Sequence, residues 1–351
     1  MAEKNKPLVL VTGGSGYIAV HIILRLLRDN YRVRATLRTM NRQDEVKAML
    51  MSGGLTDLEG LSFIQTDLSS DHNWDEAVKG AEYVIHVASP TPNKVYRDEN
   101  EMIIPARDGV LRVLRAARDA GVKRVVLTSA FGAIGVGHTN HKGPFTEKDW
   151  SNTDANIHPY QKSKTIAEKA AWAFIRQEGN GLELATVNPV GVMGPILGSD
   201  YSHSNSSVRQ MLEGKMKAVP KIYSDYVDVR DVAELHVLAM VRSEANGERF
   251  IASTAENLSM LDIANILRKH MGEDAKNVPK RQIPIIVVRT MALFKPQLRM
   301  IASLLGLDMS TSNRKAKQLL GWNPRSAEEA IAATGKSMVK IMKQQQDSLR
   351  R

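Results

Sequence analysis

The sequence predicts an α/β protein built on a doubly wound parallel sheet, with a smaller C-terminal lobe. Apolar, β-branched segments of strand length alternate with amphipathic helical segments over residues 8–187, which is typical of a parallel sheet with helices on both faces. A glycine-rich turn joins the first strand segment to the first helical one. From about residue 194 the alternation is lost, so we expect a second, smaller lobe there.

Length and composition favour a large globular core. The chain has 351 residues, of which 43% are hydrophobic, enough for one large domain or two unequal ones. Cysteine is absent, which excludes disulfide and thiolate chemistry and favours a reducing compartment. The first six residues are polar, and no apolar run has the length of a membrane span. We therefore expect a soluble, cytoplasmic protein without a membrane partner.

The chain is basic, with a formal net charge of +10. A nucleic-acid partner would explain this charge, but the basic residues are scattered and no DNA- or RNA-reading motif is present. We therefore expect no nucleic-acid partner. A cofactor that carries several phosphates accounts for part of the charge, and solvated surface accounts for the rest.

The glycine turn predicts a nucleotide site. Residues 8–12 form a short apolar strand segment, and Gly13, Gly14 and Gly16 follow before a helical apolar pattern begins. Glycines let the backbone approach a phosphate closely, and the N–H groups and dipole of a helix N-terminus favour its negative charge. With Ala19 in the last position, the pattern matches a dinucleotide-binding fingerprint. The predicted fold is therefore of the Rossmann type.

The end of the second predicted strand, residues 31–37, indicates which dinucleotide binds. NAD sites place an acidic side chain at this point, where it binds the ribose hydroxyls. This chain instead has Arg38, with Arg42 shortly after it, and its next carboxylate is Asp44. A guanidinium is always charged and binds phosphate bidentately. The sequence therefore favours NADP(H) over NAD(H).

Two further strand ends are candidates for cofactor contact. Asp67 and Leu68 follow the third predicted strand, residues 62–66, and a carboxylate there lies within reach of an adenine amino group. The fourth predicted strand, residues 83–90, ends in small residues that let the backbone lie against a cofactor. These small residues are Val87, Ala88 and Ser89.

A helix that carries Tyr160 and Lys164 is the candidate for reaction chemistry. It follows a helix predicted over residues 98–120 and a fifth strand over residues 122–128. Pro159 suits the first helical position, and side chains four residues apart share one helix face. A cation beside a phenol lowers the pKa of the phenol. We therefore expect Tyr160 and Lys164 to form a proton donor and acceptor suited to carbonyl chemistry.

Taken together, these segments resemble the extended short-chain dehydrogenase/reductase superfamily, which includes the NAD-dependent epimerases and dehydratases. Within it, the resemblance is to the dihydroflavonol reductase-like branch. It extends to residue 325 and so covers nearly the whole chain. The matching segments are residues 12–18, 33–38, 67–68, 86–90, 128–129, 160 with 164, 188–195, 227–233 and 320–325.

The resemblance implies an NADPH-dependent reductase of aldehydes or ketones. In this family a Tyr protonates the carbonyl oxygen, a Lys holds the nicotinamide ribose and tunes the Tyr, and hydride passes from the nicotinamide to the carbonyl carbon. Tyr160 and Lys164 match these two positions. A Ser usually hydrogen-bonds the carbonyl oxygen as well, but Ala130 stands in its position. Ser129 is therefore predicted to supply the hydroxyl, with Thr128, or no hydroxyl at all, as the alternatives.

The resemblance also extends the predicted cofactor site. It places the residues after the sixth predicted strand, residues 182–187, along the nicotinamide, and Ser206 or Ser207 near the phosphates. No metal site is predicted. The predicted cofactor-binding residues are Gly13, Gly14, Ser15, Gly16, Tyr17, Ile18, Arg38, Arg42, Asp67, Leu68, Val87, Ala88, Ser89, Thr128, Tyr160, Lys164, Pro189, Val190, Val192 and Ser206.

The expected organisation is an NADP-binding domain with a C-terminal substrate lobe. Within the lobe, the polar segment 198–205 is expected to form a mobile loop beside the substrate. The expected boundaries are residues 1–190 with 225–252 for the NADP-binding domain, 191–224 and 253–345 for the lobe, and 346–351 for a frayed tail.

Two other functions share parts of this pattern. A nucleotide-sugar epimerase or dehydratase has the same fold and Tyr–Lys pair, but it needs extra basic and polar groups for a second diphosphate and usually prefers NAD, which Arg38 opposes. A non-catalytic NADP-sensing protein is compatible with Ala130, but such proteins tend to lose the Tyr–Lys pair. For the reductase we expect a small-molecule carbonyl substrate and either a monomer or a homodimer.

Overall fold

The computed structural model describes residues 6–90, 98–198, 203–294, 302 and 305–350. Within these ranges a central sheet has seven parallel strands, which are β1 Leu8–Thr12, β2 Arg32–Leu37, β3 Leu61–Gln65, β4 Tyr83–His86, β5 Arg124–Thr128, β6 Glu183–Pro189 and β11 Arg249–Ala252. Their order in the sheet is β3-β2-β1-β4-β5-β6-β11. The predicted doubly wound α/β class is therefore confirmed.

Helices cover both faces of this sheet. The helices are α1 Tyr17–Arg28, α2 Gln43–Ser52, α3 Trp74–Val78, α4 Asn100–Asp119, α5 Pro159–Glu178, α6 His203–Leu212, α7 Val229–Val241, α8 Met260–Met271, α9 Ile285–Phe294, α10 Arg314–Leu320 and α11 Ala327–Arg350. One core layer packs β1 and β2 against α1, α2 and α7. The other packs the opposite faces of β1, β4 and β5 against α3, α4 and α5.

The apolar character of β1 follows from its central position in the sheet. All five residues of β1 are buried, because a central parallel strand is covered by helices on both faces. The chain runs outward from β1 to β3 and then returns to the other side of β1 as β4. The boundary between β1 and β4 is therefore the switch point at which open α/β sheets bind ligands.

The segment from residue 229 to residue 252 returns to the central sheet. Strand β11 pairs with β6 in parallel, and α7 packs against the core layer that contains α1. Between β6 and β11 lie short strands that pair outside the central sheet. These and the later short strands are β7 Gly191–Met193, β8 Val219–Pro220, β9 Tyr223–Ser224, β10 Tyr226–Asp228, β12 Leu258–Ser259 and β13 Gln282–Ile283.

A separate hydrophobic cluster joins α6, α8 and α11. One expectation for this region is wrong in part. The predicted loop over residues 198–205 gives way to α6 at His203, and residues 199–202 lie outside the described residues. The last helix, α11, runs to Arg350 and Lys343 pairs with Asp274 at 2.9 Å, while the fraying of residues 346–351 stays a prediction.

Two features are absent from the described residues. None of the helices described has both the length and the apolar character needed to cross a membrane. Among the same residues, no group of three or more His, Asp or Glu side chains is arranged to hold a metal ion.

Candidate active site

The glycine turn after β1 lies at the switch point of the sheet. Gly13 has a φ of +69°, and a Cβ added there would lie 3.0 Å from the Cα of Ala88. A Cβ added to Gly14 would lie 2.8 Å from the Cβ of Ala35, which is closer than side chains tolerate. The turn therefore needs glycine because its backbone passes directly between the ends of β2 and β4.

The N-terminus of α1 fits a pyrophosphate. Gly16 at the N-cap position has no side chain to satisfy the first N–H groups, and the first turn contains no acidic residue. The positive end of the helix dipole is therefore uncompensated. Tyr17 and Ile18 turn their side chains into the core, so their backbone is what they can offer to a phosphate. The Ser15 hydroxyl, next to this helix end, accepts a hydrogen bond from Arg42 Nη1 at 2.9 Å.

The end of β2 fits a 2′-phosphate better than a ribose diol. Arg38 is largely exposed, and its Nε lies 3.8 Å from Asp67 Oδ2. Arg42 is held more firmly, because it donates two hydrogen bonds to the carboxylate of Glu45. Asp67 accepts hydrogen bonds from the backbone and hydroxyl of Ser69, which lower the pKa of its carboxyl. Asp67 therefore stays charged beside the predicted adenine position, while its neighbour Leu68 packs into the core.

The ends of β4 and β5 meet next to α5. Thr12 Oγ1 accepts hydrogen bonds from the N–H groups of Val87 and Ala88, both at 3.0 Å, and so fixes the chain after β4. A small cavity of about 10 Å³ lies between these strand ends and α5. The structure thus brings together residues predicted from three separate segments. Its polar lining is Ser89, Thr128, Ser129, Lys164 and Glu168, and Ala88 is among its apolar residues.

Tyr160 and Lys164 are placed by the start of α5. Pro159 occupies the first turn, and the His158 side chain at the N-cap accepts a hydrogen bond from the backbone N–H of Tyr160 at 3.2 Å. Lys164 Nζ donates to the carbonyl oxygen of Thr128 at 3.2 Å. The same Nζ lies 6.0 Å from the centroid of the Tyr160 ring. The two side chains therefore share one face of α5, and Lys164 reaches the end of β5.

The expected lowering of the pKa of Tyr160 is wrong for this structure. Burial raises the pKa of Tyr160 to about 12. Burial lowers the pKa of Lys164 to about 8, although the nearby Glu168 carboxylate acts in the opposite direction. The physical reason is that Lys164 Nζ is directed to the Thr128 carbonyl, so desolvation outweighs the effect of the ammonium on the phenol.

The hydroxyl groups at the end of β5 point away from one another. Thr128 Oγ1 lies 2.8 Å from His236 Nε2 on α7. Ser129 Oγ donates to Glu168 Oε2 at 2.5 Å, on the α5 side. Ala130 continues the extended backbone and carries no hydroxyl. Within this described segment, each of the two available hydroxyls therefore already has a protein partner.

The predicted nicotinamide segment lies beyond the end of β6. Pro189 is the last residue of β6, and the N–H of Val190 donates to the carbonyl oxygen of Ala252 on β11 at 3.2 Å. Val192 is buried in β7, where it pairs with β10. Ser206 lies half-buried on α6. All four residues are on the chain that leaves the carboxyl end of the sheet, which is the ligand side of this fold.

Glu168 is the functional candidate that the sequence prediction missed. It lies on α5 one turn after Lys164 and is 1% exposed. A carboxylate in an alanine-rich helix face was the available signal, because a charge is rarely buried without a partner. Its contacts, however, come from β5, β6 and β11, which sequence spacing does not bring together.

The comparisons with known proteins agree with this arrangement. The model of the NAD dependent epimerase/dehydratase family matches residues 9–252. The chain is 30% identical to the NADPH-dependent methylglyoxal reductase Gre2 of Saccharomyces cerevisiae, over 95% of this chain and 98% of the relative. It is 33% identical to a cinnamoyl-CoA reductase of Medicago truncatula, over 74% of this chain and 80% of the relative.

A solved structure supports the same assignment. The crystal structure of the yeast methylglyoxal/isovaleraldehyde reductase Gre2 complexed with NADPH superimposes with a TM-score of 0.77 at 28% identity, covering 96% of this chain and 99% of that one. Relatives of this chain are thus NADPH-dependent reductases, in agreement with the predicted enzyme class. The chain belongs to the NAD dependent epimerase/dehydratase family, and its predicted place among the extended short-chain dehydrogenases/reductases, near the dihydroflavonol reductase-like branch, is confirmed.

Proposed function

We propose that this chain is an NADPH-dependent reductase that transfers a hydride to an aldehyde or ketone carbonyl, with Tyr160 as the proton donor and Lys164 as its partner. The observation that carries the proposal is that Lys164, which shares a helix face with Tyr160, meets the ends of β4 and β5 in one small cavity. The glycine turn and Arg38 lie at the same edge of the sheet, where a dinucleotide phosphate and a 2′-phosphate fit.

Tyr160 is suited to donate a proton. Bound NADPH supplies the hydride. With a pKa raised to about 12, the Tyr160 hydroxyl keeps its proton over the whole neutral range, so it is available when negative charge develops on the carbonyl oxygen. Lys164 is fixed by the Thr128 carbonyl, which places its ammonium at the end of β5, where the resemblance puts the nicotinamide ribose. The same protonation state disfavours the reverse reaction, which needs the phenolate.

We propose that the carbonyl oxygen receives its side-chain hydrogen bond from Tyr160 alone. The sequence predicted Ser129 as a second donor, but its single O–H group is directed to Glu168. A hydrogen bond to a charged group contributes about 1.5–3 kcal/mol, and Ser129 must give up that amount to turn toward a substrate. Thr128 faces α7, and Ala130 has no hydroxyl to offer.

The substrate proposal follows from the relatives. We propose a small aldehyde or ketone, and methylglyoxal, which the name of one relative specifies, heads the panel together with aryl ketones and α-keto esters. A nucleotide-sugar epimerase is disfavoured because no carboxylate follows β2 before Asp44. We also propose that the reductase is cytoplasmic, that it is a monomer or homodimer, and that it has no nucleic-acid partner. Cell fractionation tests the compartment, light scattering tests the oligomeric state, and filter binding tests for nucleic acid.

Loss of reduced-nicotinamide absorbance tests the proposal. Wild type and Tyr160→Phe are compared with NADPH and NADH on the carbonyl panel. Turnover that prefers NADPH and falls at least a hundredfold in Tyr160→Phe supports the reductase, because general acid catalysis contributes roughly 10²–10⁴-fold. NADPH binding without turnover on any carbonyl would instead favour the sensing protein.

A further inference from the structure

Glu168 is the centre of a buried polar network behind the candidate active site. Its side chain is completely buried in the interior, and both carboxylate oxygens accept hydrogen bonds. The donors come from α5 and from three neighbouring strands, so one side chain ties these elements together. They are Ser129 Oγ at 2.5 Å, Arg249 Nε at 2.6 Å, Asn188 Nδ2 at 2.8 Å, Thr186 Oγ1 at 3.2 Å and Trp172 Nε1 at 3.4 Å.

Arg249 is the ion-pair partner of the Glu168 carboxylate, with its Nε 2.6 Å from Glu168 Oε1. Its guanidinium lies 3.7 Å from the centroid of the Trp150 ring and donates from Nη1 to the carbonyl oxygens of Glu147 and Asp149, both at 2.8 Å. The pair is therefore anchored on both sides and has little freedom to separate. A buried ion pair offers little net stability over an apolar pair of the same shape, so stability alone is a weak reason for this one.

The charge of the Glu168 carboxylate acts on Lys164. Glu168 follows Lys164 by four residues on α5, so the two side chains lie on one helix face, with Cβ atoms about 6 Å apart. Both line the same small cavity, whose remaining walls include Ala106, Val110 and Leu127. Among the described residues, the hydrogen bond to the Thr128 carbonyl is the only one that Lys164 Nζ makes. An ammonium in such surroundings is poorly solvated.

The other titratable groups around Glu168 and Lys164 do not supply a negative charge beside Lys164. His86 faces Lys164 from β4, and burial lowers the pKa of its ring to about 3, so the ring is neutral. Tyr160 is the remaining titratable group on the same helix face, and it holds its proton. Glu147 lies on the far side of Arg249, where its Oε1 accepts a hydrogen bond from the N–H of Ile251 at 3.0 Å.

We propose that Glu168 is a positioning residue for the reduction: fixed by Arg249, its carboxylate keeps Lys164 charged at the end of β5. The proposal rests on the proposed function, in which Lys164 acts as an ammonium. It requires no contact between Glu168 and substrate or cofactor. Glu168 thus acts through Lys164, and its removal must change the protonation of Lys164 rather than simply loosen the fold.

The test is the pH profile of kcat for NADPH-dependent reduction in Glu168→Gln, which removes the charge and retains the shape. For side chains one helical turn apart, a unit charge roughly 6–10 Å away at an effective dielectric constant of about 20 shifts a pKa by roughly one to two units. The alkaline fall in kcat is therefore expected to move down by about one to two pH units. Glu168→Asp, which keeps the charge, is expected to leave that fall near its wild-type position.

Arg249→Gln is the matched control, because it breaks the same ion pair and leaves the carboxylate. The alkaline fall is then expected to stay or to move upward, opposite to Glu168→Gln. Equal losses of activity in both variants at every pH, with the fall unmoved, would overturn the proposal. The double variant Glu168→Gln, Arg249→Gln leaves neither charge of the pair buried without its partner, so it replaces a single variant that does not fold. Its alkaline fall in kcat is expected at a pH between those of wild type and Glu168→Gln.

A readout without turnover separates this proposal from the proposed function. In protein with isotope-labelled lysine ε-carbons, the Lys164 resonance is the one that disappears in Lys164→Arg, and its titration by NMR reports the pKa of Lys164 directly. We expect a lower midpoint in Glu168→Gln, and an unchanged midpoint would refute the role of Glu168. Absence of carbonyl reduction in the wild type, with the midpoint shifted as expected, would refute only the proposed function.

Discussion

Arg38→Gln is expected to remove most of the preference for NADPH. The Arg38 side chain is 77% exposed, and its one ion pair within the described residues is a 3.8 Å contact with Asp67. Arg42 is 34% exposed and is committed to Glu45 at 2.7 Å and 3.0 Å and to Ser15 at 2.9 Å. Arg38 therefore has N–H groups available for a 2′-phosphate, whereas Arg42 must first break its hydrogen bonds to Glu45 or Ser15.

The magnitude follows from the exposure of the site. A charge-assisted hydrogen bond contributes about 1.5–3 kcal/mol, which corresponds to roughly 10–150-fold in binding. Solvent and salt screen an exposed pair, so we expect the lower part of this range, about 10–30-fold in kcat/KM for NADPH. NADH lacks the 2′-phosphate, and its kcat/KM is expected to change by less than about twofold on the same reasoning.

The assay is initial-rate measurement with both cofactors at two salt concentrations, with Arg42→Gln as the matched control. Arg42→Gln is expected to lose less selectivity than Arg38→Gln, and added salt is expected to weaken NADPH binding more in the wild type than in Arg38→Gln. An equal loss with NADPH and NADH in Arg38→Gln, or a larger loss of selectivity in Arg42→Gln, would refute the assignment of the phosphate to Arg38.

Three other predictions use different parts of the site. Gly14→Ala places a Cβ 2.8 Å from the Cβ of Ala35, so we expect a lower Tm and a loss of the stabilisation that NADPH confers, both measured by thermal unfolding. Ser129→Ala is expected to lower kcat by less than about tenfold, because its hydroxyl is directed to Glu168; a loss of roughly a hundredfold or more would make Ser129 a carbonyl donor. Burial lowers the pKa of His21 and His236 to about 4 and that of His86 to about 3. These rings bind protons more readily in the unfolded chain, so their contribution to stability is present above about pH 6.5 and is lost as pH falls toward 4. Urea unfolding against pH checks this, and His236→Gln is expected to flatten the dependence.

Much of the central sheet could be predicted because each strand is a local apolar segment with a turn at its end. The predicted third strand, residues 62–66, is observed as Leu61–Gln65, one residue displaced. The glycine turn could be recognised in the same way. The positive φ of Gly13 and the close approach of Gly14 to Ala35 both require glycine, and the glycines are visible in the sequence. These features depend on neighbours in sequence or on adjacent strands.

The direction of the side chains at the end of β5 could not be predicted in this way. Whether Ser129 faces a substrate or Glu168 depends on which strand face α5 covers, and both residues look like ordinary polar neighbours in the sequence. The same limit applies to the Arg249 contact, because β11 joins the sheet beside β6 only after a long excursion through the lobe.

The two candidate catalytic groups are shifted by the same burial in opposite directions, and this has a consequence for the reaction. Burial raises the pKa of Tyr160 to about 12 and lowers that of Lys164 to about 8, so a buried phenol becomes a weaker acid while a buried ammonium becomes a stronger one. The Glu168 carboxylate opposes only the second shift, because it lies beside Lys164. In the proposed reduction, Glu168 therefore supports only the charge on Lys164, and we expect Glu168→Gln to leave the protonation of Tyr160 unchanged.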